Sequence, residues 1–255
     1  MPAWVARTIL SGSSVDPNAT NQHTCSFTPA TSGNLLVAIV AGAMTSSTPV
    51  GWNLAVSSVL HAALYVFTKT ATAGEASFVT THNSSDYALR GIVYEFPAGT
   101  SLIGSNSQLV GVGGATTGPT MSELSTPYSV LAARSHGLSL SAGVMSVQWT
   151  APGDKDYEAY VGRGANDGIG LSVAVEDGVT ADTFTCSYSS MYENTANEYG
   201  ESVVFALSGL PTRSGKIKHW NGTQWQAHPL KEWNGTTWVT RKARGHTGTE
   251  FIESK

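Results

Sequence analysis

Charge is scarce in this chain: only 13% of its 255 residues are Asp, Glu, Lys or Arg. Gly, Ser, Thr and Val are plentiful instead, a composition suited to short strands and tight turns rather than helices. No window carries a capped amphipathic helical pattern. Long apolar runs are missing too, since no segment approaches the roughly 18 residues that a membrane-spanning helix needs. Met1-Pro2-Ala3-Trp4 opens without the basic and apolar stretches of a secretory signal, which predicts synthesis and assembly in the cytoplasm. Cysteine is limited to Cys25 and Cys186. Both sit in strand-like contexts and read as small buried residues in a reducing compartment; a disulfide requires that their strands be neighbours.

Motifs that carry chemistry are equally thin. The seven histidines are scattered without metal-ligand spacing, and no nucleophile elbow is present. The glycine-rich stretches at Gly111–Gly114 and Gly162–Gly164 do not open a helix, so they read as loops. No catalytic residue, metal ligand or cofactor is expected.

What the chain does have is a repeat. Ile217-Lys218-His219-Trp220-Asn221-Gly222-Thr223-Gln224-Trp225 returns thirteen positions later as Leu230-Lys231-Glu232-Trp233-Asn234-Gly235-Thr236-Thr237-Trp238. An eroded third copy follows, with Arg244, His246, Gly248 and Phe251 at the matching offsets. A period this short marks one small supersecondary unit used again and again. Asn-Gly is the strongest two-residue turn signal, because both residues tolerate positive φ in a type I′ turn. Each copy therefore reads as a hairpin with an aromatic on either arm. Trp220, Trp225, Trp233, Trp238 and Phe251 are the expected interface anchors, since aromatics at this density mark contact surfaces. A lone hairpin is marginal in water, so the copies must lean on each other or on a partner.

The first 210 residues read differently, as many short strands separated by breakers such as Ser32-Gly33-Asn34, Thr48-Pro49-Val50-Gly51 and Ala151-Pro152-Gly153. That spacing predicts an antiparallel β-sandwich, jelly-roll-like, over residues 1–210, followed by the three repeats over 211–255. Within the body, Leu64–Phe67, Phe78–Thr80 and Ile92–Phe96 are echoed by Leu171–Ala174, Phe184–Cys186 and Val203–Leu207. Trp52 and Trp149 stand at comparable places ahead of the two series. A single sandwich of two similar strand sets is the preferred reading, and two small sandwiches the alternative. Charge divides with the same boundary: −9 before residue 210 and +5 after it. The bases of the tail alternate with aromatics, which suits a solvated strand face or an acidic neighbour better than nucleic acid.

Two stretches of the body combine acids with tyrosines. Asp154-Lys155-Asp156-Tyr157-Glu158 reads as a loop, with a solvated surface role or a glycan platform as its two meanings; clustered carboxylates also suit Ca²⁺. Tyr188, Tyr192 and Tyr199 punctuate a second stretch whose composition resembles that of binding loops.

The body resembles the all-β domain of many tailed-phage virion proteins, on the strength of Gly33–Val37, Pro49–Trp52, Leu64–Lys69, Val93–Phe96 and Val203–Gly209. The ending resembles the tandem Lys-x-Trp-Asn-Gly-Thr-x-Trp repeats of minor tail proteins from phages of actinobacteria. The resemblance implies a structural virion protein of the tail, with no catalytic residues. It also implies neighbouring virion proteins and further copies of itself as partners, trimeric symmetry among them, and host envelope glycan as a target, without nucleic acid or membrane insertion. The rival expectations are a capsid decoration protein and a glycan depolymerase.

Overall fold

The computed structural model describes residues 6–13, 22–42, 48–59, 63–81, 88–110, 117–124, 128–138, 146–162, 168–191 and 199–208, and six short strands between 217 and 253. Among the described residues there is no helix, and every strand pair is antiparallel. The chain divides into two compact units, Met1–Leu210 and Pro211–Lys255.

In the first unit the strands are β1 (Ala6–Ser13), β2 (Gln22–Ser26), β3 (Leu35–Ala41), β4 (Asn53–Ser58), β5 (Leu64–Thr70), β6 (Ser77–Thr81) and β7 (Ala88–Phe96). There follow β8 (Ser101–Val110), β9 (Thr117–Met121), β10 (Tyr128–Leu138), β11 (Ser146–Ala151), β12 (Asp154–Gly162), β13 (Gly168–Val179), β14 (Phe184–Met191) and β15 (Tyr199–Ser208). The first seven make one sheet in the order β1-β7-β3-β5-β4 and a two-stranded sheet β2-β6. The next eight make a sheet in the order β8-β15-β10-β13-β12, read from its β8 side, and a smaller one in the order β9-β14-β11. The two orders are the same order. First pairs with last and second with next-to-last in each half, and the second half adds one strand, β11.

The registers coincide as well. Ile39 sits between Val66 and Ile92, as Ala133 sits between Val173 and Val203. One row along, Ala38 lies between Phe67 and Val93, as Ala132 lies between Ala174 and Val204. One bulge recurs too, between Leu54 and Val56 in the first half and between Lys155 and Tyr157 in the second, while the second half has further register shifts at Tyr128/Val130 and Ala206/Leu207. The body is thus one seven-stranded plan executed twice, and the internal echo in the sequence falls on matching strands β5/β13, β6/β14 and β7/β15.

Layering follows from which faces are apolar. The two five-stranded sheets face each other across a central core that includes Val37, Ile39, Ile92, Tyr94, Leu131, Val173 and Phe205. On its outer side the first sheet buries Leu36, Ala38, Val40 and Val93 beneath Phe78 and Trp52. The second sheet buries Val130, Ala132 and Val204 beneath Val147, Trp149, Phe184 and Tyr188. Four β layers result, and a strand covered on both faces has no reason to alternate polar with apolar. Hence Leu35-Leu36-Val37-Ala38-Ile39-Val40-Ala41 is buried nearly throughout. Each half has its own five-stranded sheet and outer layer, and residues Met1–Leu210 together form one compact unit.

Two tryptophans plug the outer layers in the same way. Trp52 packs edge-on to Phe78 of β6 with ring centroids 4.9 Å apart, and Trp149 packs edge-on to Tyr188 of β14 at 5.3 Å. The turn that delivers Trp52 needs its glycine: Trp52 N–H donates to the Pro49 carbonyl at 3.0 Å, with Gly51 at φ 78°. Strand β9 was not anticipated, because Gly118 and Pro119 interrupt the pattern. It lies at the border of its sheet, where a proline is tolerated. A Cβ at Gly118 would lie 3.0 Å from the Tyr188 ring, so the glycine lets β9 close over that tyrosine.

In the second unit β16 (Ile217–Trp220) pairs with β17 (Trp225–His228), β18 (Leu230–Trp233) with β19 (Trp238–Arg241), and β20 (Arg244–His246) with β21 (Phe251–Glu253).

Candidate functional site

The aromatic arms of the repeats occupy matching register positions. Trp220 is the cross-strand partner of Trp225, Trp233 of Trp238, and His246 of Phe251. A two-residue turn at Asn221-Gly222 would have set Trp220 against Thr223. The strand register sets the two tryptophans of each copy opposite each other, with four residues of sequence between them. The Asn-Gly residues and the side chains of these five aromatics lie outside the described residues.

The stretch from Asp154 to Glu158 is the first half of strand β12, a sheet border, and not a loop. Asp156 and Glu158 flank Tyr157 on a strand whose successive side chains take opposite faces. Tyr157 points inward and is buried in the central core, so it offers no ring face to a ligand. Burial raises its hydroxyl pKa, an effect opposed by the positive charge of Arg90. Asp156 accepts a hydrogen bond from the Tyr94 hydroxyl at 2.7 Å. Glu158 accepts from the Val147 amide at 2.7 Å and from the Lys155 ammonium at 2.8 Å, which ties β11 to β12. Asp154 is exposed. No group of three or more His, Cys, Asp or Glu suited to a metal ion occurs among the described residues.

Tyr188 is also internal. It lies in the outer core of the second half, with the Arg134 guanidinium 4.6 Å from its ring centroid. Arg134 is itself fully buried. Around it the Trp149 indole donates to Ser172 Oγ at 2.9 Å, and Cys186 is a free, buried thiol. Burial pushes that thiol up to about 12, with smaller opposing influences from the Ser202 hydrogen bond and Arg134. A thiol so protonated is a packing group and not a nucleophile. Tyr192 lies outside the described residues, and Tyr199 opens β15 with its side chain outside them. The two tyrosine-bearing stretches are therefore not assembled into one exposed platform by the described residues.

Among the described residues, three buried charged side chains escaped the sequence reading. Glu95 accepts hydrogen bonds from the Thr31 amide at 2.7 Å and from the Asn34 side chain at 2.8 Å; Asn34 in turn accepts from the Ala98 amide at 2.9 Å. This clamp holds two turns at one end of the first half. Glu201, in the second half, accepts from the Ser58 hydroxyl of the first, a polar tie between the halves. Arg134 is the third. The signal for all three was present: a charged residue inside an otherwise apolar strand run is buried only with partners.

Acidity concentrates at the far end of the second half, where Glu123, Asp154, Glu176, Asp177 and Asp182 are all exposed. Partial burial and the Asp154 carboxylate hold the Glu176 pKa above its usual value. Burial, then Asp182 and Glu176, raise that of Tyr128. No family model matches this chain, and neither a curated protein nor a solved structure matches it.

Proposed function

We propose that this chain is a structural protein of a tailed-phage virion, most specifically a minor tail protein. In this reading a body of two stacked jelly rolls carries a C-terminal module of tandem hairpins that binds within the particle. The nested strand order supports the jelly-roll description: β1 beside β7 and β2 beside β6, then β8 beside β15 and β9 beside β14. That wrapping of a ribbon upon itself is the mark of jelly rolls, an architecture used by viral shell and lectin domains alike. Fold alone does not give function. The observation that carries the reading is the thirteen-residue repeat, with Trp opposite Trp in two successive strand pairs and His opposite Phe in the third. Repeated aromatic pairs on short two-stranded sheets, each marginal alone, are fitted to bind by multiplicity: weak contacts gain avidity when several act together. The commitment of Asp156 and Glu158 to internal hydrogen bonds supports a binding role over a catalytic one. Host-envelope glycan and other virion proteins are the partners this reading gives it.

Trp233→Ala tests it. The variant is expected to fall several-fold in copy number in purified particles, while the free protein keeps the thermal unfolding of its body. Unchanged incorporation would remove the repeats from the proposal. The charge contrast, +5 in the tail against −9 in the body, favours one second reading, a capsid decoration protein seated on an acidic shell.

A further inference from the structure

The three copies of the tail repeat agree on one face and differ on the other. Residues two apart on a strand share a face, and register partners share it across the pair. One face of the first copy therefore takes Lys218, Trp220 and Trp225, and the same face of the second takes Lys231, Trp233 and Trp238. In the third copy it takes Arg244, His246 and Phe251. Each time the formula is two rings opposite each other and a base two residues before the first ring. The other face changes from copy to copy: His219 with Gln226, Glu232 with Val239, Gly245 with Ile252.

Packing does not account for the constant face. Rings kept for a core need only apolar bulk, which many residues supply. A base kept in every copy, the eroded one included, calls for an anion. From the first two copies to the third, Lys becomes Arg and the first Trp becomes His, yet the charge and both rings remain. The proportion of one base to two rings then selects among anionic polymers. Single-stranded nucleic acid presents a phosphate with every base it stacks, so its readers match rings with cations and are strongly basic. This chain is acidic, with a net charge of −4. A glycan in which alternate sugars carry an acid presents one anion for two rings. Its apolar C–H faces suit aromatic side chains, and its acid suits the base.

We propose that the ring-and-base face of each hairpin binds an acidic glycan, the ring pair taking sugar faces and Lys218, Lys231 or Arg244 taking the carboxylate or phosphate. This rests on the glycan partner proposed above and assigns it to the repeats. Strands of four residues offer little area, so each site is weak alone. A polymer supplies the same groups to all three copies at high effective concentration, and their contributions combine. The +5 of the tail draws the anion, while the −9 of the body opposes a polymer as densely charged as nucleic acid. The third copy, with His in place of Trp, is the weakest site.

Isothermal titration calorimetry of the full chain tests it, with hyaluronan, whose alternate sugars carry a carboxylate, and phosphomannan, which carries phosphate. Binding to either, weakening as salt rises, is the expected result, and the better of the two names the anion. Lys218→Gln, Lys231→Gln and Arg244→Gln combined keep every ring and are expected to weaken binding about tenfold or more. Lys218→Arg with Lys231→Arg is expected to bind like the wild type, which a merely structural loss would not explain. Binding to neither acidic glycan would overturn the proposal. So would equal binding to neutral dextran, tighter binding to oligo-dT at the same salt, or a triple variant that binds like the wild type. Particle incorporation is scored separately. A chain that enters particles but binds no acidic glycan overturns this proposal and leaves the virion role standing; one that binds glycan but is absent from particles does the reverse.

Discussion

The two halves of the body share strand order, most of their register and one bulge, and they differ where polar groups enter the frame. Val40 in the first half corresponds to Arg134 in the second, Glu95 to Ala206, and Arg90 to Glu201. The apolar residues are interchangeable in kind: Val66 and Val173, Ile92 and Val203, Tyr94 and Phe205 occupy matching places in one central core. Burial at these positions needs only apolar bulk of the right volume, which many residues satisfy. A buried charge needs particular partners, and each half provides for its own. Glu95 has the Thr31 amide and Asn34, whereas Arg134 has the Tyr188 ring. The frame is thus carried by the pattern, and the individuality of each half by a handful of polar positions.

The largest expected effect tests whether the halves stand together. Phe205 is fully buried in the shared core. Phe205→Ala should cost about 3–5 kcal/mol and lower one cooperative urea transition for the whole body. Two separate transitions, with the first half unmoved, would break the picture of a common core. Glu95→Ala should cost about 1–3 kcal/mol by stranding buried donors. Its loss of hydrogen-exchange protection should be concentrated around Thr31, Asn34 and Ala98. Uniform loss across both halves would argue against a local clamp.

A finer contrast separates the two tryptophan plugs. Trp149 donates to Ser172 Oγ in addition to packing on Tyr188. Trp149→Phe should therefore destabilise by about 1–3 kcal/mol, through the lost hydrogen bond and the smaller ring together, measured as a shift in urea midpoint at constant slope.

The smallest effect is a difference in the sign of pH dependence. Burial acts to raise the Glu75 pKa, but its hydrogen bonds to Lys69 and Thr72 and the Lys69 charge lower it on balance. A folded-state pKa below the unfolded one gives stability that is present above the unfolded value and is lost as pH falls through the folded one. Partial burial and Asp154 raise the Glu176 pKa instead, so its folded form holds the proton more tightly and gains relative stability as pH falls. Glu75→Gln should flatten the acid-side loss and Glu176→Gln should remove the opposing gain, each within about 1 kcal/mol for such surface groups. Thermal scans from neutral pH down to the carboxylate range would show the two signs.

Much of this architecture was legible in the sequence, and the omissions have physical causes. The echo between Leu64–Phe96 and Leu171–Leu207 marks matching strands because equal burial selects equal residue types. The outer layers β2-β6 and β9-β14-β11 were not legible, because a run such as Leu35–Ala41 tells that both faces are covered and not by what. Tyr157 and Tyr188 read as surface residues from their acidic and polar neighbours. Alternation along β12 turns Tyr157 inward, and β9 closes over Tyr188. Strand β9 itself was hidden by Gly118 and Pro119, which punctuate a sequence in the same way whether they make a turn or a sheet border. The exposure of Leu54 and Val59 at the border of the first sheet could not be recognised in advance, since exposure at an edge depends on which strands happen to be neighbours.

Gold labelling of this protein on intact phage particles, viewed by electron microscopy, tests the central functional claim most directly. The minor-tail reading predicts gold at the tail. Gold over the head would replace it with the decoration reading, and particles carrying no gold at all would contradict a structural virion role.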